Sequence, residues 1–438
     1  MHFCTITVKW GAFMKMDWDL AAIAPAVILL PDKEVDLSAW AVVACDQYTS
    51  QMEYWREAEG IAGDKPSALR ITLPEIYLAQ SSERVPAIHN TMADYLQKGI
   101  LREAVRGGFV LTERTTESGS RLGLVAAADL ESYDFDSGSR SMIRATEGTI
   151  ISRIPPRLAI RKGAPLESTH VMLLMDDLHK TVIEPLYALR NELKLLYDFG
   201  LMMGGGRLRG WAVTEPGLLR DVYDALVSLK AKLPRDNPLL MAVGDGNHSL
   251  ATAKTHWQQV KSTLAPEDAA NHPARYALVE VENIHDDALH FHPIHRVVFH
   301  TDGDKLKLEW EKYCKTRNMS LNDTAAGPFD QAITVLYGGR ERTVFISNPE
   351  TSLAVGTLQK FLDEYLRSHK EAEIDYIHGG DTVRSLCMQK DTVGFLVPGL
   401  DKSALLPAVR KDGALPRKTF SMGEAHEKRY YMECRAIL

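Results

Sequence analysis

The residues best suited to chemistry in this chain lie in Gly244-Asp245-Gly246-Asn247-His248-Ser249. The apolar run from Leu239 to Val243 ends there. Leu250, Ala253, Trp257, Val260 and Leu264 then recur at the three- and four-residue steps of one buried helix face. A strand-to-helix turn is expected, with Asn247 as the N-cap accepting from an amide of the first helical turn. Gly244 and Gly246 let the backbone turn sharply and approach a ligand closely. The amides of His248, Ser249 and Leu250 would then point out of the helix end along its positive dipole, an anion site suited to phosphate. The competing expectation is an ordinary capped turn that binds nothing.

Other groups carry weaker signals. His285, His290, His292 and His295 fall within eleven residues, with Asp286 and Asp287 between them, and all are metal-ligand types. On a strand His290 and His292 would share one face and His295 the other, so a polar loop before a strand competes with a metal centre. Gly204-Gly205-Gly206 lacks the Gly-Lys-Ser/Thr ending of a phosphate-binding loop and reads as a turn. Asp198-Phe199-Gly200 copies a kinase tripeptide, but the chain contains no His-Arg-Asp. Arg140, Arg144, Arg153, Arg157, Arg161 and Lys162 form a basic segment, read either as a solvated face or as a wall that binds phosphate.

The elements that must position these residues alternate in type. Val27 to Leu30 and Ala39 to Ala44 read as buried strands, the second running into the polar loop Cys45-Asp46-Gln47-Tyr48 at a strand end, where α/β sites usually lie. A helix from about Ile88 to Lys98 stops at Gly99. Residues 109–115 and 121–127 pair as a hairpin, Leu193 to Tyr197 closes a helix, and 201–213 holds two strands around the glycine triplet. Further on come strands at 277–281 and 294–299, a hairpin of 333–337 with 343–347, a helix around Leu358 to Leu366, and strands at 374–377 and 393–397. Hairpins mixed with isolated helices indicate an α+β (mixed α/β) fold. At 438 residues the chain exceeds what one hydrophobic core usually serves. The expected division is a peripheral extension 1–16, a core domain 17–300 carrying the loop, and a C-terminal α/β domain 301–438.

Composition excludes several classes. Hydrophobic content of 45% and charged content of 25% are those of a soluble globular protein. A net charge of −7 argues against a nucleic-acid surface. Five scattered cysteines without a Cys-x-x-Cys pair argue against a disulfide framework and fit a reducing cytoplasm. No 18-residue apolar stretch exists to span a membrane, and Met1 to Lys15 makes a poor signal peptide. The pattern sets no oligomeric state.

Gly-Asp-Gly-Asn-His-Ser-Leu-Ala-Thr-Ala resembles the Asp-Gly-His-His-Arg loop of the ParB/sulfiredoxin-like superfamily and, within it, the domain-of-unknown-function family 1015. Glu147-Gly148-Thr149 with Arg157, Pro293-Ile294-His295-Arg296, Asp375-Tyr376-Ile377-His378-Gly379 and Leu415-Pro416-Arg417-Lys418-Thr419 resemble further landmarks of that family, in order. The resemblance implies a ParB/sulfiredoxin-like core of mixed sheets and hairpins, with a nucleotide phosphate on the helix after the loop. Superfamily members include free-serine kinases, nucleotide-hydrolysing partition proteins and sulfinic-acid reductases. Asn247 stands where the reductases carry cysteine, which removes that activity. Ser249 stands where arginine is usual, so another cation must serve the phosphate.

The implied cofactor is ATP or ADP with Mg²⁺. Gly244, Gly246, Asn247 and Ser249 would cradle phosphate, with Arg157, His295, Arg296 and Lys418 around it, Arg296 first among the replacement cations. Asp245 would hold Mg²⁺, Glu147 would act as general base, and His248 as acid, base or orienting donor. The implied activity is phosphoryl transfer from a nucleotide to a small hydroxylated metabolite, an amino acid such as serine included. A phosphatase or nucleotide hydrolase, and a non-catalytic module that senses a nucleotide or phosphometabolite, are the alternatives.

Overall fold

The computed structural model describes residues 16–325 and 329–438, so the expected extension lies outside the described residues except for Met16. Contacts divide the chain into two units. One comprises Met1–Ala145 (described from Met16), Thr149–Ala288 and Ala425–Leu438; the other comprises Thr146–Gly148 and Leu289–Glu424. The α+β class expected from the sequence is the one that forms, with helices and two sheets. Among the described residues no helix is long and apolar enough to cross a membrane.

The first unit is built on a mixed sheet of thirteen strands among the described residues. Its spine is the hairpin Leu101–Thr116 with Gly119–Asp129, closed by Thr116 opposite Gly119. Tyr276–Asn283 pairs antiparallel with Gly119–Asp129 and parallel with Met172–Met175. Met172–Met175 in turn pairs with Met241–Asp245, the strand that delivers the glycine loop. Because side chains alternate across a strand, Leu124, Ala126 and Ala128 pack into one apolar core, and Val125 and Ala127 into another. Both faces of this sheet are therefore buried.

Polar residues lie inside this apolar frame. Arg429 is 1% exposed and its guanidinium pairs with Glu280 at 3.0 Å and with Glu433. Thr112 donates to Glu280, and Tyr197 to Glu433. Glu282, two residues along the same strand, pairs with Arg121 at 2.7 Å, and burial pushes its carboxyl up to about 8. This network ties Ala425–Leu438 into the sheet.

Three local expectations are corrected. Residues 39–44 do not form a strand: Asp36 caps a helical turn, Leu37–Trp40, by accepting from the Ser38 amide, and Val43 then makes a single bridge to Tyr430. Leu193 to Tyr197 does not close a helix. Lys194–Gly200 is a strand paired antiparallel with Arg207–Val213, and the glycine triplet falls in the turn between them. The helix that ends at Gln97 begins at Ser81, ahead of the expected Ile88, with Pro86 accommodated inside it.

In the second unit Phe291–Phe299 pairs with Glu373–His378 and Thr392–Leu396, so this strand belongs with the segment beyond 300. Gln331–Tyr337 and Arg340–Ser347 form the expected hairpin, closed by Gly338 and Gly339, both at positive φ as a two-residue turn of this hand requires. Trp310 and Phe361 stack in its core.

Arg429→Ala is expected to cost about 3–5 kcal/mol in urea unfolding at neutral pH, because Glu280 and Glu433 would remain buried without their cation. The loss should shrink at pH 5.5, where the orphaned carboxylates can take up protons. Equal losses at both pH values would mean that charge pairing is not what Arg429 provides.

Candidate functional site

The loop does what its glycines permit. Met241–Asp245 ends, Gly246 adopts φ +81°, and the helix Asn247–Lys261 starts at once. A Cβ on Gly246 would lie 3.1 Å from both Cα and Cγ2 of Val171, so conformation and space each demand glycine. Leu250, Ala253 and Trp257 are buried in the core as the spacing predicts. The cap differs from expectation: Gly246 is the N-cap, and no side chain caps the helix. The helix starts one residue early, since the Leu250 amide donates to the Gly246 carbonyl at 3.0 Å. The helix head is therefore formed by the amides of Asn247, His248 and Ser249. Asp245 Oδ1 accepts from the Gly246 amide at 2.9 Å, which steadies the turn. His248 Nε2 accepts from the Ile150 amide at 3.3 Å.

Four residues to which the sequence assigns no role in the site surround this turn. Lys428 Nζ lies 3.4 Å from Asp245 Oδ2. Asp46 is near enough that the Asp245 charge adds to burial in raising its carboxyl above the ordinary range. His170 Nε2 lies 2.9 Å from Ser249 Oγ and 3.9 Å from Asp46 Oδ2. Tyr431 Oη lies 3.1 Å from His170 Nδ1 and accepts from the Cys45 amide at 3.2 Å. Asp46 had a signal, the polar loop at a strand end. His170, Lys428 and Tyr431 had none, because distant segments bring them in.

The proton inventory decides what His170 can do. The Cys45 amide can only donate, so the Tyr431 oxygen accepts there, and burial keeps the phenol protonated. Its own proton is then directed at His170 Nδ1. A neutral imidazole with Nδ1 accepting must carry its proton on Nε2, which donates to Ser249 Oγ. A serine beside a histidine suggests an activated nucleophile, but here the histidine is the donor and leaves the Ser249 proton in place.

The other expected residues sort between the units. Arg157, in the first unit, pairs with Glu75, donates to the Arg153 carbonyl at 2.8 Å, and lines the same cavity as Ser249. Arg161 likewise pairs with Glu167 at 2.6 Å, so two of the six residues of the basic segment are met by acids. Glu147, His295, Arg296 and Lys418 belong to the second unit. Glu147 accepts from the Lys418 amide at 3.1 Å, and His295 Nδ1 accepts from the Val397 amide at 3.3 Å. Lys418 has an exposed side chain at φ +58°. Arg296 is fully buried, and its guanidinium donates to the carbonyls of Lys418 at 3.0 Å, Arg417 at 3.3 Å and Ile294, and to Gln359 at 3.1 Å. The expectation of a phosphate-neutralising Arg296 is corrected on that ground: its donors are spent anchoring residues 417–418.

The metal expectations divide in the same way. His285 pairs with Asp176 at 2.7 Å. Among the described residues no group of three or more His, Cys, Asp or Glu could hold a metal ion.

A family model described as a protein of unknown function, DUF1015, matches residues 25–365. The chain belongs to that family. No curated protein matches this DUF1015 chain. Among solved structures, a free serine kinase variant in complex with AMP is 10% identical, with a TM-score of 0.37, covering 68% of this chain and 94% of its own. A conserved hypothetical protein from Pyrococcus furiosus is 11% identical, with a TM-score of 0.34 and shares of 66% and 91%. SbnI from Staphylococcus aureus, truncated at its C-terminus, is 10% identical, with a TM-score of 0.35 and shares of 68% and 82%.

Tyr431→Phe should release the His170 tautomer. Nitrogen NMR of ring-labelled histidine is expected to show a single Nε2–H form for His170 in the parent protein and a mixture in the variant. A mixture already present in the parent would refute the assigned proton positions.

Proposed function

We propose that this DUF1015 protein is a nucleotide-dependent phosphotransferase with a ParB/sulfiredoxin-like core, acting in the cytoplasm on a small hydroxylated metabolite. Free serine is the first acceptor to try. The observation that carries the reading is the meeting, at one glycine turn, of a helix head, the carboxylates of Asp46 and Asp245, and Lys428. Helix-head amides and a lysine are the standard means of holding phosphate oxygens. Lys428 supplies the cation that Ser249 cannot, the part expected of Arg296.

The chemistry then follows from the charges. A carboxylate raised by burial and by a like charge holds a proton better than an ordinary one, so Asp46 serves as the base. The acceptor hydroxyl gives its proton to Asp46 while its oxygen bonds to the terminal phosphorus. The bond from that phosphorus to the bridging oxygen breaks, and the nucleoside diphosphate leaves with the electron pair. The Ser249 hydroxyl, which accepts the Nε2–H of His170 and keeps its own proton to donate, orients the acceptor oxygen or a phosphoryl oxygen. Mg²⁺, held by Asp245, would supply charge neutralisation to the phosphates. Glu147, the base expected from the sequence, is held in the second unit by the Lys418 amide, and Asp46 takes its role in this reading.

Titration with ADP and AMP, the nucleotides named with the similar serine kinase structures, followed by phosphorus NMR with ATP, Mg²⁺ and serine, tests this reading. Phosphate released to water indicates a hydrolase, and binding without turnover a sensing module. Asp46→Asn is expected to lower turnover at least a hundredfold while changing nucleotide affinity less than threefold. Parent turnover should rise with pH through a value above the ordinary carboxylate range, because the base must be ionised. The sign for stability is opposite: a raised folded-state pKa stabilises below the unfolded value and that contribution is lost as pH rises through the folded one. Asp46→Asn should therefore raise the melting temperature at neutral pH, and the gain should vanish below about pH 4. A variant that keeps full turnover would remove Asp46 from the chemistry.

A further inference from the structure

Beside the turn, the first unit holds a cavity of about 150 Å³. Leu73, Met92, Val171, Leu250 and Leu278, all buried, supply much of its wall. Its polar wall includes His170 and Ser249, and the half-buried Arg157–Glu75 pair also lines it. A space of this size accepts a guest of about benzene size.

We infer that this cavity is the subsite for the compact apolar body, about five or six carbons, of a small uncharged alcohol, with the hydroxyl at Ser249 and His170. The polar wall selects the head group. Ser249 accepts from His170 and keeps its own proton to donate, and its oxygen retains a lone pair, so the pair matches a group that both accepts and donates. A hydroxyl is such a group. A carboxylate head would meet the negative charge of Asp46, 3.9 Å from His170, and the two arginines on the wall, Arg157 and Arg161, are already matched by Glu75 and Glu167. Free serine has a charged head and no apolar body, so it does not fill this space. As an assignment of acceptor class this deepens the phosphotransferase reading and rests on it. As an assignment of a binding site it stands on the cavity alone.

The test uses the whole chain and begins without nucleotide. Calorimetric titration with ethanol, butanol and hexanol should show affinity rising about threefold to fourfold per added methylene. Benzyl alcohol should bind more tightly than benzene, which lacks the hydroxyl. Ala277→Leu and Ala164→Leu each place a larger side chain into the cavity wall, and whichever of them folds should weaken benzyl alcohol binding at least tenfold. Affinity that is flat along the series, or unchanged in a folded filling variant, overturns the inference. ATP with Mg²⁺ is then added. Phosphorylated benzyl alcohol supports both readings, whereas tight binding without phosphorylation supports the cavity site and overturns phosphotransfer to its occupant. Phosphorylated serine with no alcohol bound overturns the cavity inference and leaves the phosphotransferase reading standing.

Discussion

The site depends on one buried cation. Arg429 sits between Glu280 and Glu433 and is 1% exposed. Such a network contributes little net stability over an apolar core of equal volume, because desolvation offsets most of the attraction. What it does supply is register. Arg429 is next to Lys428 and two residues from Tyr431, so fixing its guanidinium against the central strands sets where the lysine meets Asp245 and where the phenol meets His170. An apolar anchor could slide along the sheet, whereas a guanidinium between two carboxylates has one position.

The assigned proton positions run from the Cys45 amide through Tyr431 and His170 to Ser249. Each link is a neutral hydrogen bond of modest strength. Their value lies in direction, because a single immovable amide proton at one end settles the donor at the other. A histidine so fixed leaves the Ser249 hydroxyl free to turn its proton outward without needing to be charged itself.

What the sequence revealed of this arrangement was local. The strand, glycine turn and helix at 241–261 were legible because side-chain period and glycine chemistry act within a few residues. The cap was misplaced by one residue, because a left-handed Gly246 takes over the start that Asn247 would otherwise make. Leu193 to Tyr197 was mistaken for the end of a helix, because its partner, Arg207–Val213, overrides local preference. Arg296 looked available because sequence shows a charge but not the carbonyls that enclose it. His170, Lys428 and Tyr431 were invisible for the same reason: each acts through partners dozens to hundreds of residues away.

The return of residues 425–438 to the first unit has a consequence for biosynthesis. Chains emerge from the ribosome N-terminus first, and domains generally fold as they appear. Residues up to 288 can collapse early, but Lys428, Arg429 and Tyr431 are not made until the whole second unit has been synthesised. Throughout that interval Glu280 and Asp245 lack the cations they have in the finished protein, whereas Glu282 already has Arg121. A ribosome that stalls anywhere before 425 thus releases a polypeptide that has the central strands of its sheet but neither the closing strand Cys434–Ala436 nor the side chains that complete the glycine turn's surroundings.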